Sequence, residues 1–250
     1  MPLFTDGPPA TLTDLREYES GVLALASSEG VDLTAKLRVS QRELGCQIAA
    51  FLVSKGYKQA ERDLSIVAVT EPMLHAHTLR TLEIAYRDIY QSQLNDRYQG
   101  KWQAYRSLAE EAFRQLMRVG IPIVANPLPR PATPSIEAVP GGLLPSRTLH
   151  VRVGLVNVDN RCGALSGLEM VQIEPGARAR VSLRDIPSEA IGWLLYAGTS
   201  EDSCSLQTVS PLAKDASWTE PTAGLLSGVE PWPSIEPYRL VRDDQKIQRG

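Results

Sequence analysis

Residues 70–120 read TEPMLHAHTLRTLEIAYRDIYQSQLNDRYQGKWQAYRSLAEEAFRQLMRVG, and two helical periods in them decide the fold of the first half of the chain. Leu79, Leu82, Tyr86 and Ile89 recur three or four positions apart, which puts them on one helical face. Trp102, Tyr105, Ala109, Ala112, Leu116 and Val119 repeat the pattern further on. Thr70 is a good N-cap, and Glu71-Pro72 suits a first helical turn, where a missing N–H costs nothing. Glu83 with Arg87, and Glu110 with Arg114, stand at i,i+4 for ion pairs. Gly120 and then Pro122 stop the second run. Between the runs, LNDRYQGKW holds Asn95 and Gly100 and reads either as a tight turn between antiparallel helices or as a bend in one long helix. No catalytic pattern lies here; the stretch reads as a scaffold.

Upstream, residues 1–10 are rich in Pro and Gly and read as an extended arm. Thr11-x-x-Asp14 resembles a capping box with Asp in place of Glu. The helix after it presents Leu15, Tyr18, Val22 and Leu25 on one face and stops near Gly30. Asp32 caps a second helical run with Leu33, Leu37, Leu44, Ile48 and Phe51 inward, ending near Gly56. Ser40-x-x-Glu43 is a further capping signal that marks a break inside this run. Leu64 to Val69 is short and β-branched, a strand or a connector.

Downstream, IPIVANPLPRPATPSIEAVPGGLLPS is dense in proline, which fixes φ and removes a donor, so it reads as a stiff linker. Beyond it the period falls to two. Leu149, Val151, Val153 and Leu155 alternate with His150, Arg152 and Gly154, a strand with one buried face. DNRCG at 159–163 is hairpin-like; strands are expected at 168–174, around Val181 and Leu183, at 193–196 and at 206–209. The last residues are rich in Pro, Gly and Trp. They read as a tail packing on its own β-domain, on another subunit or on a partner, since Trp218 and Trp232 are poor candidates for bare surface. The expected fold class is α+β multidomain: extended arm 1–10, helical bundle 11–121 with a long central helix or helix pair, Pro-rich linker 122–147, small β-sandwich 148–212, extended C-terminal tail 213–250.

The composition is that of an ordinary globular protein: 250 residues, 43% hydrophobic, 22% charged. A net charge of -3 argues against a dedicated nucleic-acid binder. The 3 cysteines, Cys46, Cys162 and Cys204, are odd in number and scattered, so no disulfide framework is indicated. No signal peptide and no membrane-length apolar run are read.

Chemistry is sparse. His75 and His77 are two apart and point to different helix faces, unsuited to one metal. Ser166 and Ser227 lack the spacing of a nucleophile elbow, and no phosphate or dinucleotide loop occurs. The expectation is no catalytic residue, no metal and no cofactor. Tyr90, Arg97 and Tyr98 lie off the main helical stripe and suit packing against another subunit, where aromatic and Arg side chains are favoured.

The order of parts resembles the connector, or adaptor, proteins of tailed bacteriophages. The helical module beginning at TLTDLREYE and the long helix within EIAYRDIYQSQLNDRYQGKWQAYRSLAEEAF carry that resemblance. VRVGLVNVDNRCGALS resembles the B–C region of a fibronectin-III or immunoglobulin-like domain, and GWLLYAGTSEDSCSLQ its later strands. The resemblance implies a non-enzymatic virion protein at the head–tail junction, made in the host cytoplasm. It further implies a twelvefold ring of copies docked on the portal protein and on tail or nozzle proteins. Genomic DNA would pass through the ring without sequence-specific binding, and no membrane is involved. The C-terminal segment becomes a docking arm, so Trp232, Tyr238, Arg239, Arg242, Gln245, Lys246 and Arg249 join Tyr90, Arg97 and Tyr98 as candidate partner contacts. Two alternatives stay open: another phage tail or baseplate protein, and a surface- or carbohydrate-binding module on a helical stalk.

Overall fold

The computed structural model describes residues 1–93, 96–227 and 231–243. Its elements are α1 (Leu12–Tyr18), α2 (Val22–Glu29), α3 (Leu33–Ser54), α4 (Glu71–Gln93), α5 (Gln99–Val119), β1 (Ile121–Val124), β2 (Ser135–Pro140), β3 (Arg147–Val156), β4 (Cys162–Leu165), β5 (Glu169–Ile173), β6 (Ala177–Ser182), β7 (Gly192–Gly198), β8 (Ser205–Leu206), β9 (Ser217–Thr219) and β10 (Pro237–Val241). The chain is mixed α and β, helical first and antiparallel β afterwards. Two compact units form. One is helical, Phe4–Val124 with Pro237–Gly250; the other is β, Met1–Leu3 with Ala125–Glu236.

In the helical unit, Thr11 caps α1 with the full reciprocal box, its side chain taking the Asp14 N–H while Asp14 takes the Thr11 N–H. A single helix from Thr11 to Gly30 was the expectation; two form, and Gly30 ends the second at φ 69, the left-handed conformation that suits glycine. Asp32 caps α3 through the Ala35 N–H at 3.0 Å. The expected break at Ser40 does not occur. Ser40 is buried and its Oγ donates to the His77 carbonyl at 3.3 Å, while Glu43 pairs with Arg80 at 2.5 Å. Tertiary contacts have taken both side chains, so neither caps.

α4 and α5 are two helices joined by a short 3-10 turn, Asp96–Tyr98, and not one bent helix. They run antiparallel, because the late residue Tyr90 stacks on the early residue Trp102 at 5.4 Å and Tyr86 on Tyr105 at 5.3 Å. Leu44, Ile48 and Leu52 of α3, Met73, Ala76 and Leu79 of α4, and Ala109, Ala112 and Leu116 of α5 share one core. Glu83 pairs with Arg87 at 3.6 Å as its spacing predicts, whereas Arg114 takes Glu111 at 3.0 Å and leaves Glu110 to Arg106 at 3.1 Å.

The proline-rich segment read as a linker, and the C-terminal segment read as a tail, both contain strands. β1 is buried along its whole length and pairs antiparallel with β10. Pro122 fits because its carbonyl accepts from Ala68 N–H at 3.1 Å, which turns its donorless nitrogen away from β10. Val124 lies opposite Pro237, so the chain leaves the helical unit at 124 and re-enters beside it at 237. Residues 125–236 are therefore an insertion between two paired strands. β2 likewise lies inside the expected linker and pairs with β6. The expected arm 1–10 is tied down too: Phe4 is buried and its N–H donates to the Val67 carbonyl at 2.8 Å.

The β unit holds a sheet of order β2-β6-β9 and a sheet of order β4-β3-β7-β8, with β5 also paired to β3. Leu149, Val151, Val153 and Leu155 are buried as their alternation predicts. β7 is buried at every position, which fits a central strand covered on both faces and explains why Trp193 and Tyr196 are both inside despite their odd spacing. The 157–162 hairpin is held by Asn157, whose Oδ1 accepts from Asp159 N–H at 3.1 Å and Arg161 N–H at 2.9 Å, with Asn160 at φ 59. Glu220 is fully buried, pairs with Arg147 and accepts the Ala179 N–H at 3.1 Å. Of the expected strand at 206–209 only Leu206 is in a strand; Val209 is 85% exposed.

Candidate interaction surface

β10 supplies the most prominent exposed feature of the helical unit. Val241 is buried in the helical core, while Tyr238, Arg239 and Leu240 are exposed, Tyr238 at 62% and Leu240 at 41%. The register with β1 shifts between Ile123 and Val124, which leaves Tyr238 as the extra residue of a bulge, so simple alternation does not run through it. Among the described residues β10 pairs only with β1, and its other edge carries no strand. Such an edge offers unpaired N–H and C=O groups to an incoming chain. Arg242 Nε donates to the Val119 carbonyl at 3.0 Å and Asp243 pairs with Lys55 at 3.3 Å. These contacts tie the strand to the C-terminal ends of α5 and α3. Arg118, Arg239 and Arg242 are all exposed there, so the edge is aromatic and basic together.

The sequence-predicted contacts divide. Tyr238, Arg239 and Arg242 are exposed on or just after β10. Gln245, Lys246 and Arg249 lie outside the described residues. Tyr98 is 6% exposed and is internal. Its hydroxyl donates to Glu29 at 2.8 Å and its ring lies 6.5 Å from Tyr86. The Tyr98 expectation fails because the short 3-10 turn tucks this side chain beneath the helix pair instead of leaving it on an outer face. Tyr90 is half-buried against Trp102, and Arg97 is exposed above the Tyr98 ring at 5.6 Å. Trp232 belongs to the β unit, packed with Val156, Leu194 and Leu206, and its Nε1–H donates to the Asn160 carbonyl at 3.0 Å. Leu240 was missed, and Val119, read as part of the inward stripe of α5, is instead 44% exposed. The period-two alternation of YRLV carried a signal for Leu240, but the segment was read as tail rather than strand.

The polar groups inside the helical unit serve its packing. Lys101, bonded to Glu19 at 2.8 Å, holds that carboxyl below its usual range. Burial pushes the Tyr86 and Tyr105 hydroxyls up. His77 is fully buried, accepts the Ala10 N–H at 3.1 Å and contacts the Leu37 carbonyl at 3.0 Å. His75 faces another way, with the Tyr18 hydroxyl bonded to its Nδ1. No group of three or more metal-ligating side chains exists among the described residues. All three cysteines are free thiols, and burial raises Cys162 to about 11. No helix among the described residues is long and apolar enough to cross a membrane. No protein-family model and no curated protein matches the chain.

Proposed function

We propose that this chain is a non-enzymatic assembly protein, a head-to-tail adaptor of a tailed bacteriophage that forms a ring beneath the portal. The observation that carries this reading is β10. The C-terminal strand returns to the helical unit, anchors there through Val241, and leaves Tyr238, Arg239 and Leu240 facing outward on an open edge. Aromatic and Arg side chains on a strand edge fit a protein partner by strand addition far better than they fit a small substrate. The docking-arm role is assigned to Arg242 and to residues 244–250, which lie outside the described residues. In this reading the partners are the portal, tail or nozzle proteins and neighbouring copies, and DNA passes without sequence-specific contact. The place of action is the head–tail junction of the virion.

The inserted β unit is read as a small sandwich of fibronectin-III or immunoglobulin type. Two antiparallel sheets support that reading. VRVGLVNVDNRCGALS nevertheless forms a hairpin within one sheet, where a B–C connection would pass between sheets. The segment is therefore a same-sheet hairpin, and the sandwich reading rests on the two-sheet layout alone.

Co-sedimentation with purified portal rings tests the adaptor reading. The full chain is expected to sediment with the ring. A chain ending at Asp243 keeps β10 and its ties to Val119 and Lys55, so it stays folded and binds through that edge with reduced affinity. Full retention by the shortened chain would overturn the docking-arm role, and absence of binding by both would overturn the adaptor.

A further inference from the structure

The β unit contains a cleft of about 540 Å³ that the assembly reading does not use. Two guanidinium groups line it, Arg130 and Arg152, and no Asp or Glu does among the described residues. The chain as a whole is negative at -3, whereas the lining of this cleft carries two arginines and, among the described residues, no acid, Glu201 pairing with Arg152 from outside the lining. Arg152 is only partly satisfied. One terminal nitrogen binds Glu201 at 2.5 Å, while its Nε is buried without an acceptor. A buried donor left unpaired is destabilising, and the guanidinium that carries it lines the cleft. The other polar groups of the cleft add no negative charge at neutral pH, because burial raises Cys162 to about 11 and Tyr196 to about 12.

One wall of the cleft is apolar. Trp232 is fixed there by two bonds, its Nε1–H to the Asn160 carbonyl at 3.0 Å and its backbone N–H to the Tyr196 hydroxyl at 3.4 Å. Leu165 lies on the same lining. A bare inorganic anion would use the arginines and leave this wall empty. A side chain with an aliphatic stem and a carboxylate head uses both.

We propose that this cleft docks an acidic peptide segment of a partner protein, a carboxylate reaching Arg152 and Arg130 and the peptide's apolar part lying on Trp232 and Leu165. The proposal draws on the assembly reading only in taking a protein as the source of the carboxylate; portal binding through β10 is a separate measurement and stands or falls without it.

The test uses the full chain and two synthetic peptides, acetyl-Gly-Glu-Leu-Glu-Gly amide and its Gln-for-Glu counterpart, followed by the indole N–H resonance of Trp232 in NMR titrations. Inorganic phosphate is the third probe. The Glu peptide is expected to move the Trp232 resonance saturably and at least about tenfold more tightly than the Gln peptide, the size of one charge-assisted hydrogen bond. Added salt weakens it. Arg152→Gln and Arg130→Gln each weaken it by about tenfold as well. The buried Trp193 indole reports whether each variant stays folded, and Arg130, which is exposed, decides alone if Arg152→Gln unfolds. The proposal is overturned if the Glu peptide produces no shift, if the Gln peptide binds equally well, if phosphate reproduces the shift at equal affinity, or if Arg130→Gln binds as the parent does.

Discussion

At 0% exposure, the His77 ring is held between the Ala10 N–H and the Leu37 carbonyl, with a pKa lowered by burial from 6.5 to about 4. Between those values the unfolded chain binds a proton that the folded chain does not. Stability is therefore complete above pH 6.5 and falls as the pH drops through the window, by up to about 3 kcal/mol. The melting temperature followed by far-UV circular dichroism should fall from pH 6.5 to about 5, above the range where carboxylates dominate. His77→Gln should flatten that slope, and an unchanged slope in the variant would remove His77 from the account. In the β unit, Glu220 is buried on Arg147 and on the Ala179 N–H. Glu220→Ala strands the guanidinium and should cost about 3–5 kcal/mol. A loss below about 1 kcal/mol in denaturant unfolding would mean that the pair is solvated. Residue roles of this kind were hardly legible in the sequence. Helical spacing separated His75 from His77 correctly, but it did not say which one is buried. Arg147 and Glu220 are 73 positions apart and no local pattern joins them.

Elements with a strong period were read well. The apolar stripes of α3, α4 and α5, the Thr11 and Asp32 caps and the β3 alternation all follow from spacing that tertiary contacts reinforce. Short strands in proline-rich sequence were not. β1, β2 and β10 have few residues each, and proline argues against a strand unless the nitrogen happens to face away from the ladder, as Pro122 does. The consequence for β10 is testable. A chain ending at Glu236 loses Val241 from the core and the whole β1 pairing, and its helical unit should be destabilised by about 2–4 kcal/mol. A chain ending at Asp243 should melt like the parent. Equal melting of all three chains would show that β10 adds nothing to the helical fold.

For the molecule as a whole, the decisive feature is that 125–236 is inserted between β1 and β10, whose ends at Val124 and Pro237 lie opposite each other. The sequence reading placed helices first and strands second, which is correct in outline. It ran the boundary through a linker and gave the last residues to a tail, because nothing local in PYRLV joins it to a partner strand more than a hundred residues earlier. Replacing residues 125–236 by a two-residue Asn-Gly turn should leave a helical unit closed by a β1–β10 hairpin and folded by circular dichroism. Failure of this shortened chain to fold would mean that the two cores depend on each other. The proposed role needs such a closed helical unit as a repeating building block, with the edge of β10 turned to its partners. Electron cryomicroscopy of tailed particles assembled from the genome that encodes this chain tests that role most directly. The account predicts a ring between portal and tail into which the helical unit fits; complete, DNA-filled tailed particles lacking the chain would contradict it.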